Sequence, residues 1–170
     1  MIKERTKQVT LTFLREQLLY DIKTIAYVEA DVMRTEDEHQ RHQVFDIGED
    51  GNIDRVTRLL DLAIAHCVEV CYPYTKNPVE QETAMDDVLT ETDAYVVRMW
   101  VPDDFSQTTV TLIERLIHEL CVYRVLAGWF LIAYPDKAAL WQQKADQTEE
   151  DIKDKLNARI GRVRRPLNPF

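Results

Sequence analysis

The hydrophobic pattern is strongest in the C-terminal third of the chain, over residues 105–134. Apolar side chains recur there at steps of three and four residues from Leu112 to Leu120, which is the period of an amphipathic helix and not of a strand. From Leu120 to Tyr134 nearly every position is apolar. A helix that is apolar all round must be buried all round. This helix is therefore predicted to lie at the centre of the fold or against another subunit.

Start and stop signals frame this helix and a second one behind it. Asp104 and Gln107 can form a capping box, and Ser106 is an equally suitable cap. Pro135 disfavours helical geometry in the residue before it and suits the first turn of the next helix. That next helix is predicted over 135–160, ending before Gly161. Its predicted buried stripe comprises Trp141, Ala145, Thr148, Ile152 and Leu156.

The first half of the chain carries two further helical patterns. Residues 1–9 are polar and predict an arm, and Thr10 or Thr12 can cap a helix that continues to Ala30. Asn52 is the predicted cap of a second helix, which Pro73 stops. The buried stripe of this second helix is predicted to comprise Ile53, Val56, Leu60, Ala63, Cys67 and Val70.

One segment has the composition of a strand. Residues 94–101 are β-branched and aromatic, and Pro102 bounds them. A single strand needs a partner. Residues 42–47 are the best internal candidate, and another subunit is the alternative. An acidic connection at 74–93 precedes the strand.

Together these elements predict a mainly α fold. We expect a four-helix bundle-like body with a long acidic loop, one short β element and an extended C-terminal tail. The first two helices are expected to pair as a hairpin, and so are the last two. Residues 1–161 are predicted to form a single helical domain with a loop and strand insert at 74–104, and residues 162–170 the tail.

Arg124 is the one charged residue within the apolar run, so it interrupts that run. The run is too short to span a bilayer, and no membrane partner is expected. A buried arginine requires an acidic or carbonyl partner. The candidate acids are Asp21, Glu29 and Asp61.

Composition narrows the possible functions. The 170 residues carry a net charge of −9 and only 4 glycines, which argues against a general nucleic-acid binder and against a glycine-rich phosphate loop. The odd number of cysteines and the polar N-terminus indicate a reducing compartment. Cys67, Cys71 and Cys121 are predicted to be buried small hydrophobes rather than metal ligands.

Three patterns resemble metal sites without completing them. Residues 46–57 have the spacing of a calcium loop, but Gly48 and Thr57 stand where calcium needs side-chain oxygens, above all a carboxylate at the last position. Residues 36–39 form one Glu-x-x-His unit, whereas a di-iron bundle needs two. The acidic run 80–93 could hold magnesium, as helical nucleotide pyrophosphatases do, but it lacks an apolar helical stripe. No resident metal or cofactor is predicted.

Two histidines are candidates for catalysis. His118 follows Glu114 by one helical turn, so it could be a base that a carboxylate orients. No nucleophile stands in a recognisable setting, and we therefore expect a surface or interface histidine. His66, next to Cys67, is expected to be a hydrogen-bonded histidine of the core or its edge.

The last nine residues are basic and apolar together. Two prolines exclude a helix, and apolar residues are interspersed with arginines and an asparagine. Extended segments of this kind dock into grooves or sheet edges of a partner. The predicted docking residues are Arg162, Val163, Arg164, Arg165, Pro166, Leu167, Asn168, Pro169 and Phe170.

The segment 116–129, the Tyr134–Trp141 corner and the helix ending at 157–161 resemble the helical head–tail adaptor (connector) proteins of tailed bacteriophages. In that family a helix rich in Cys, Tyr, Arg and Leu turns at a Pro-Asp or Pro-Glu corner into a second helix that ends in an extended tail. Residues 49–56 and 163–170 make the wider chain similar to proteins of phages and prophages of gut Bacteroidetes.

The resemblance implies a non-enzymatic subunit of a ring, usually twelvefold, between the portal and the tail. It implies assembly in the host cytoplasm, a place at the head–tail junction of the virion, and portal and tail proteins as partners. DNA would pass through without sequence-specific binding, since carboxylates repel phosphates. Candidate subunit contacts are Arg124, Trp129, Phe130, Tyr95 and Trp100.

Two other functions stay open at this point. One is a small all-α metal-dependent nucleotide hydrolase that uses the acidic run, including Asp86 and Asp87. The other is a cytosolic helical dimerisation module. The hydrolase predicts stabilisation by metal, whereas the ring subunit predicts self-assembly that weakens when the tail is removed.

Overall fold

Six helices and two strands make up the part of the chain that the computed structural model describes, namely residues 6–33, 38–78, 89 and 91–161. In chain order they are β1 (Thr6–Leu14), α1 (Arg15–Asp31), α2 (Glu38–Phe45), α3 (Ile53–Val70), α4 (Tyr72–Thr75), β2 (Ala94–Pro102), α5 (Gln107–Ala133) and α6 (Pro135–Leu156). Short 3-10 turns at Asp46–Gly48 and Asp50–Asn52 join α2 to α3. The protein is mainly helical with one small sheet.

The helix α5 lies at the centre of the fold. It pairs with α6, and α3 and α1 pack along its other sides. By length and composition alone, α5 is the one helix in the described part of the chain that could cross a membrane, yet 56% of its most apolar window is buried here. Packing against three helices buries just over half of this window, so the prediction of a central helix is confirmed, but burial on all sides is not, because Leu131 and Ile132 near its end are exposed.

The corner between α5 and α6 follows the prediction. Tyr134 leaves the helical conformation and Pro135 opens α6, and all five residues of the predicted α6 stripe are buried. The predicted end before Gly161 is wrong, because α6 stops at Leu156. Beyond it, Ile160 donates its backbone N–H to Asp104 O and Arg159 pairs with the Asp104 carboxylate. These contacts draw the chain off the helix axis.

The start of the chain departs most from the prediction. Residues 6–14 form β1 rather than an arm and a helix capped by Thr10 or Thr12, and the first helix begins at Arg15. In β1, Leu11 and Phe13 are buried while the even-numbered residues are exposed. This alternation of period two buries one face of a strand.

The predicted strand at 94–101 is confirmed as β2, but its partner is not at 42–47. That segment forms part of α2 and a 3-10 turn. Instead β2 pairs with β1 in an antiparallel register, from Thr6 opposite Pro102 to Leu14 opposite Ala94. The buried face of β2 is Tyr95, Val97, Met99 and Val101.

The predicted pairing of the first two long helices is wrong. α1 packs against α2 and α5, whereas α3 packs chiefly against α5. Arg55 at the start of α3 donates to Gly128 O near the end of α5, while Cys67 near the end of α3 contacts Cys121, so these two helices are antiparallel. α1 and α3 thus pack on α5 and not chiefly on each other, although Arg15 at the start of α1 bonds to Thr57 in α3.

Helix starts also differ in detail from the predicted caps. Ser106 holds the cap position of α5, and Asn52 that of α3, but neither side chain bonds the first-turn amides. The Asn52 amide instead donates to Asp46 O at 2.9 Å. Pro73 lies in the first turn of α4, after α3 has already ended at Val70.

Gly128 marks the close approach of α3 to α5. A Cβ atom added there would lie 2.7 Å from Leu59 Cδ2, closer than packed carbon atoms allow. Gly128→Val is therefore expected to push the Leu59 side chain aside and to lower the free energy of unfolding by about 1 kcal/mol, the lower end of the cost of overpacking, because Leu59 is half-buried and can shift. Urea unfolding followed by circular dichroism measures the change. Leu131→Val is the control, because it adds a β-branched residue at an exposed position of the same helix; equal losses in both variants would contradict the argument.

Candidate functional site

A histidine and a carboxylate meet where α1 runs beside α5. His118 Nε2 lies 2.7 Å from Asp21 Oδ2, and both side chains are partly exposed. Ile25 and Val122 lie one helical turn beyond Asp21 and His118, and the four residues line one small groove. α1 and α5 therefore run in the same direction there. The carboxylate that orients His118 is thus Asp21 on α1 and not Glu114 on its own helix.

The larger groove at this pair has a volume of about 510 Å³ and is open to solvent. One wall is the end of β1, and the others come from α1 and α5. The lining residues are Thr12, Phe13, Leu14, Gln17, Asp21, Glu114, Arg115, His118 and Glu119. Three of these are acids and one is an arginine, so the groove is acidic.

The chemistry available in this groove is limited to proton transfer and hydrogen bonding. An imidazole bonded to a carboxylate can act as a general base, but the described lining contains no cysteine, serine or lysine that it could activate. The one hydroxyl, that of Thr12, forms no hydrogen bond with His118 in the described structure. The arrangement therefore suits recognition of a basic partner better than covalent catalysis.

A second polar cluster joins α3, α5 and α6, and we name it the Glu149 cluster. Glu149 Oε2 lies 2.9 Å from Arg124 Nη2 and 2.8 Å from His66 Nε2, and Glu149 Oε1 lies 2.8 Å from Lys153 Nζ. Arg124 thus pairs with an acid on α6, and none of the three candidate acids named from the sequence is its partner. The expected hydrogen bond of His66 is confirmed.

The electrostatics of Glu149 follow from these contacts. Burial raises the pKa of its carboxyl group, but hydrogen bonds from Lys153, His66 and Arg124 outweigh burial and lower that pKa to about 2. The carboxylate is therefore ionised at neutral pH, and its charge is compensated inside the chain. This is the pattern of a structural ion pair that fixes three helices, rather than of a catalytic acid.

The cysteines are buried, as predicted. Cys67 Sγ lies 3.5 Å from Cys121 Sγ, and all three thiols are free. The Cys121 hydrogen bond and burial raise the pKa of Cys67, and burial raises that of Cys71 to about 12. Neutral, buried thiols are poor nucleophiles and poor metal ligands.

The metal-like patterns are not assembled into a site in the described part of the chain, where no group of three potential ligands is found. Thr57 is buried in α3, and its hydroxyl accepts a hydrogen bond from Arg15 at 2.8 Å. His39 contacts Gln43 on its own helix. Glu36 and residues 80–88, including Asp86 and Asp87, lie outside the described residues.

The five predicted subunit contacts have different positions. Trp129, Phe130 and Tyr95 are buried in the core of this chain, and Arg124 belongs to the Glu149 cluster. Trp100 is exposed on the outer face of the sheet. The predicted docking tail, 162–170, lies outside the described residues.

Sequence reasoning missed the carboxylate of the His118 groove and the wall that β1 provides. Both depend on contacts over long sequence distances, since Asp21 and His118 are 97 positions apart. Comparisons with protein-family models, with curated proteins and with solved structures found no match.

Proposed function

We propose that this chain is a structural subunit that joins copies of itself head to tail in a closed ring, as a head–tail adaptor of a tailed bacteriophage. The observation that carries the proposal is the presence of two separate exposed apolar patches. The sheet patch lies along the outer face of β1 and β2, where Leu14, Val96 and Trp100 are 60%, 44% and 46% exposed and Arg98 stands between Val96 and Trp100. The helix-end patch consists of Leu131 and Ile132, which are 65% and 72% exposed.

The two patches lie far apart on the molecule. Leu14 borders the same groove as Arg115, and Leu131 follows Arg115 by sixteen positions on α5. At 1.5 Å per residue this separation is about 24 Å along the helix. A head-to-tail contact requires two different surfaces on each copy, and it closes into a ring when the rotation between copies allows. Two remote patches meet that requirement.

The remaining features fit a passive ring subunit. The four long helices would act as the rigid bundle-like body, since the Glu149 cluster and the apolar core fix α3, α5 and α6 together. The net charge of −9 would keep a channel from holding the phosphates of passing DNA. Portal and tail proteins would be the partners in the virion, and the ring would assemble in the cytoplasm of the host.

The oligomeric state tests this proposal. Native mass spectrometry and light scattering of the full chain are expected to show one discrete, closed oligomer. Trp100→Glu and Ile132→Glu are each expected to give monomers, because each breaks one patch. Leu62→Glu is the matched control, since Leu62 is exposed on α3 outside both patches, and it should leave the oligomer intact.

Mixing the two broken variants distinguishes a head-to-tail contact from a symmetric one. Each variant keeps one intact patch, so an equimolar mixture is expected to form a one-to-one pair and nothing larger. A full chain that stays monomeric at every concentration, or a mixture that forms no pair, would rule the proposal out. Magnesium should change neither the mass nor Tm, whereas a metal-dependent nucleotide hydrolase would be stabilised.

A further inference from the structure

The strand β1 has a free edge. In an antiparallel pair, residues alternate between those that bond to the partner strand and those whose N–H and C=O point away. Arg15 N donates to Asp93 O at 3.0 Å, next to the last strand pair. The odd-numbered residues of β1 therefore bond to β2, and Gln8, Thr10 and Thr12 turn their backbone groups outward.

Contacts at both ends of β2 confirm this alternation. Ala94 O accepts the Thr92 hydroxyl at 2.9 Å, and Pro102 O accepts Phe105 N–H at 3.0 Å, so the even-numbered residues of β2 point away from β1. These bonds, and the missing N–H of Pro102, close both ends of the outer edge of β2. The outward backbone groups of Gln8, Thr10 and Thr12 on β1 have no partner among the described residues, and neither do those of Val96, Arg98 and Trp100 between the closed ends of β2. The acidic groove that borders Thr12 distinguishes the edge of β1 from that of β2.

The free edge of β1 lacks the usual protection against pairing. Natural edge strands carry prolines, bulges, charges or a covering element. β1 spans nine residues without proline, its register with β2 is continuous, and its one charged residue is Lys7 near the start. Such an edge is a template for one more strand.

The acidic groove lies against this edge. Thr12, Phe13 and Leu14 all line it. Successive side chains of a strand point to opposite faces, so three consecutive residues border one groove through the edge of the strand. A strand added there would bring its side chains to Asp21, Glu114 and Glu119. The groove therefore selects an extended segment that is basic.

We propose that residues 162–165 of a neighbouring copy pair with the free edge of β1 as a third strand. The inference rests on the proposed self-assembly and names one of its contacts. Residues 162–165 are Arg-Val-Arg-Arg, so Arg162 and Arg164 share one face of a strand and can reach the acids of the groove. Pro166 favours an extended residue before it and then ends the pairing, because it has no N–H.

Distance indicates that the strand comes from another copy. The chain reaches Gly161 beside Asp104, because Ile160 N–H donates to Asp104 O, and this is the end of the sheet where Thr6 lies opposite Pro102. Thr12 is six residues further along β1, about 20 Å away at 3.3 Å per residue. Four extended residues span at most about 14 Å. The segment 162–165 of the same chain therefore falls short of the groove.

A peptide of residues 161–170 tests the pairing. The full chain with Arg162, Arg164 and Arg165 changed to Glu leaves the edge open to the peptide, and fluorescence anisotropy measures binding of the labelled peptide. Saturable binding is expected. Thr12→Pro in that chain should weaken it at least tenfold, because proline removes an outward N–H without removing a bond to β2. Thr12→Val is the matched control and should bind as before.

Two further comparisons separate strand pairing from charge attraction alone. The double variant Glu114→Arg, Glu119→Arg should also weaken binding at least tenfold, and a scrambled peptide of the same composition should not bind specifically. N-methylation at Val163 and at Arg164 should have opposite effects: one peptide loses binding and the other keeps it, because alternate N–H groups face the edge.

The results of these experiments distinguish a failure of the strand pairing from a failure of the proposed ring. No saturable binding, or binding unchanged by Thr12→Pro and by the charge reversals, overturns the inference even if the chain forms a ring. Binding that shows all three dependences, with a wild-type chain that forms only open, concentration-dependent oligomers and no closed ring, supports the pairing and overturns the ring.

Discussion

Phe130→Ala is expected to lower the free energy of unfolding by about 3–5 kcal/mol, among the largest effects of any single substitution in this chain. Phe130 has 0% exposure and is the largest fully buried side chain in the described structure. It lies near the C-terminal end of α5, among the helices that meet there. Removing its ring leaves a cavity that rigid neighbouring helices fill only in part.

The adjacent residue provides the control for this substitution. Leu131 is 65% exposed, so Leu131→Ala should change the free energy of unfolding by less than about 0.5 kcal/mol. Urea unfolding of both variants at low protein concentration measures the difference. Because Leu131 belongs to the helix-end patch, its loss should weaken self-assembly instead. Similar stability losses in the two variants would contradict the placement of Phe130 in the core of one chain.

Glu149→Gln is expected to lower the free energy of unfolding by about 2–3 kcal/mol. The substitution removes the negative charge with which Arg124, His66 and Lys153 all pair. Glu150→Gln is the matched control. Glu150 is the next residue and also contacts Lys153, at 3.0 Å, but its side chain is 70% exposed. Glu150→Gln should therefore leave the free energy of unfolding nearly unchanged.

The pH dependence gives this prediction a definite sign. The Glu149 carboxyl group has an ordinary pKa of 4.5 and a pKa of about 2 in the folded chain. A lowered pKa contributes stability that is complete above the ordinary value and is lost as pH falls through the folded value. The difference in unfolding free energy between wild type and Glu149→Gln should therefore shrink between about pH 5 and pH 2. A difference that stays constant over this window would show that the contacts of Glu149 do not depend on its charge.

Local patterns sufficed wherever a segment's own residues determine its structure. The buried stripe of α6 and the turn at Pro135 were predicted because period 3.6 and a proline act within a few residues. The strand at 94–101 was predicted for the same reason. The cysteines were also assigned correctly, since their apolar neighbours already imply burial.

The predictions that were wrong concern features that depend on contacts between distant parts of the chain. Leu11, Leu14 and Leu18 have the spacing of a helix, yet Val9, Leu11 and Phe13 alternate as in a strand. Pairing with β2, which lies 80 to 96 positions further along the chain, decides for the strand. Long-range geometry likewise gave Arg124 the partner Glu149, because which face of α6 meets α5 depends on the turn at Tyr134. The open edge of β1 is a property of the assembled sheet and leaves no signal in the sequence.

The register of the sheet also has a consequence for the path of the chain as a whole. Thr6 lies opposite Pro102, and Ile160 bonds to Asp104 just beyond it, so the first and last described residues emerge at the same corner of the molecule. The path is nearly a closed loop. In a ring of equivalent copies, all these corners would form one circle, so residues 6 and 161 of every copy would lie on the same rim.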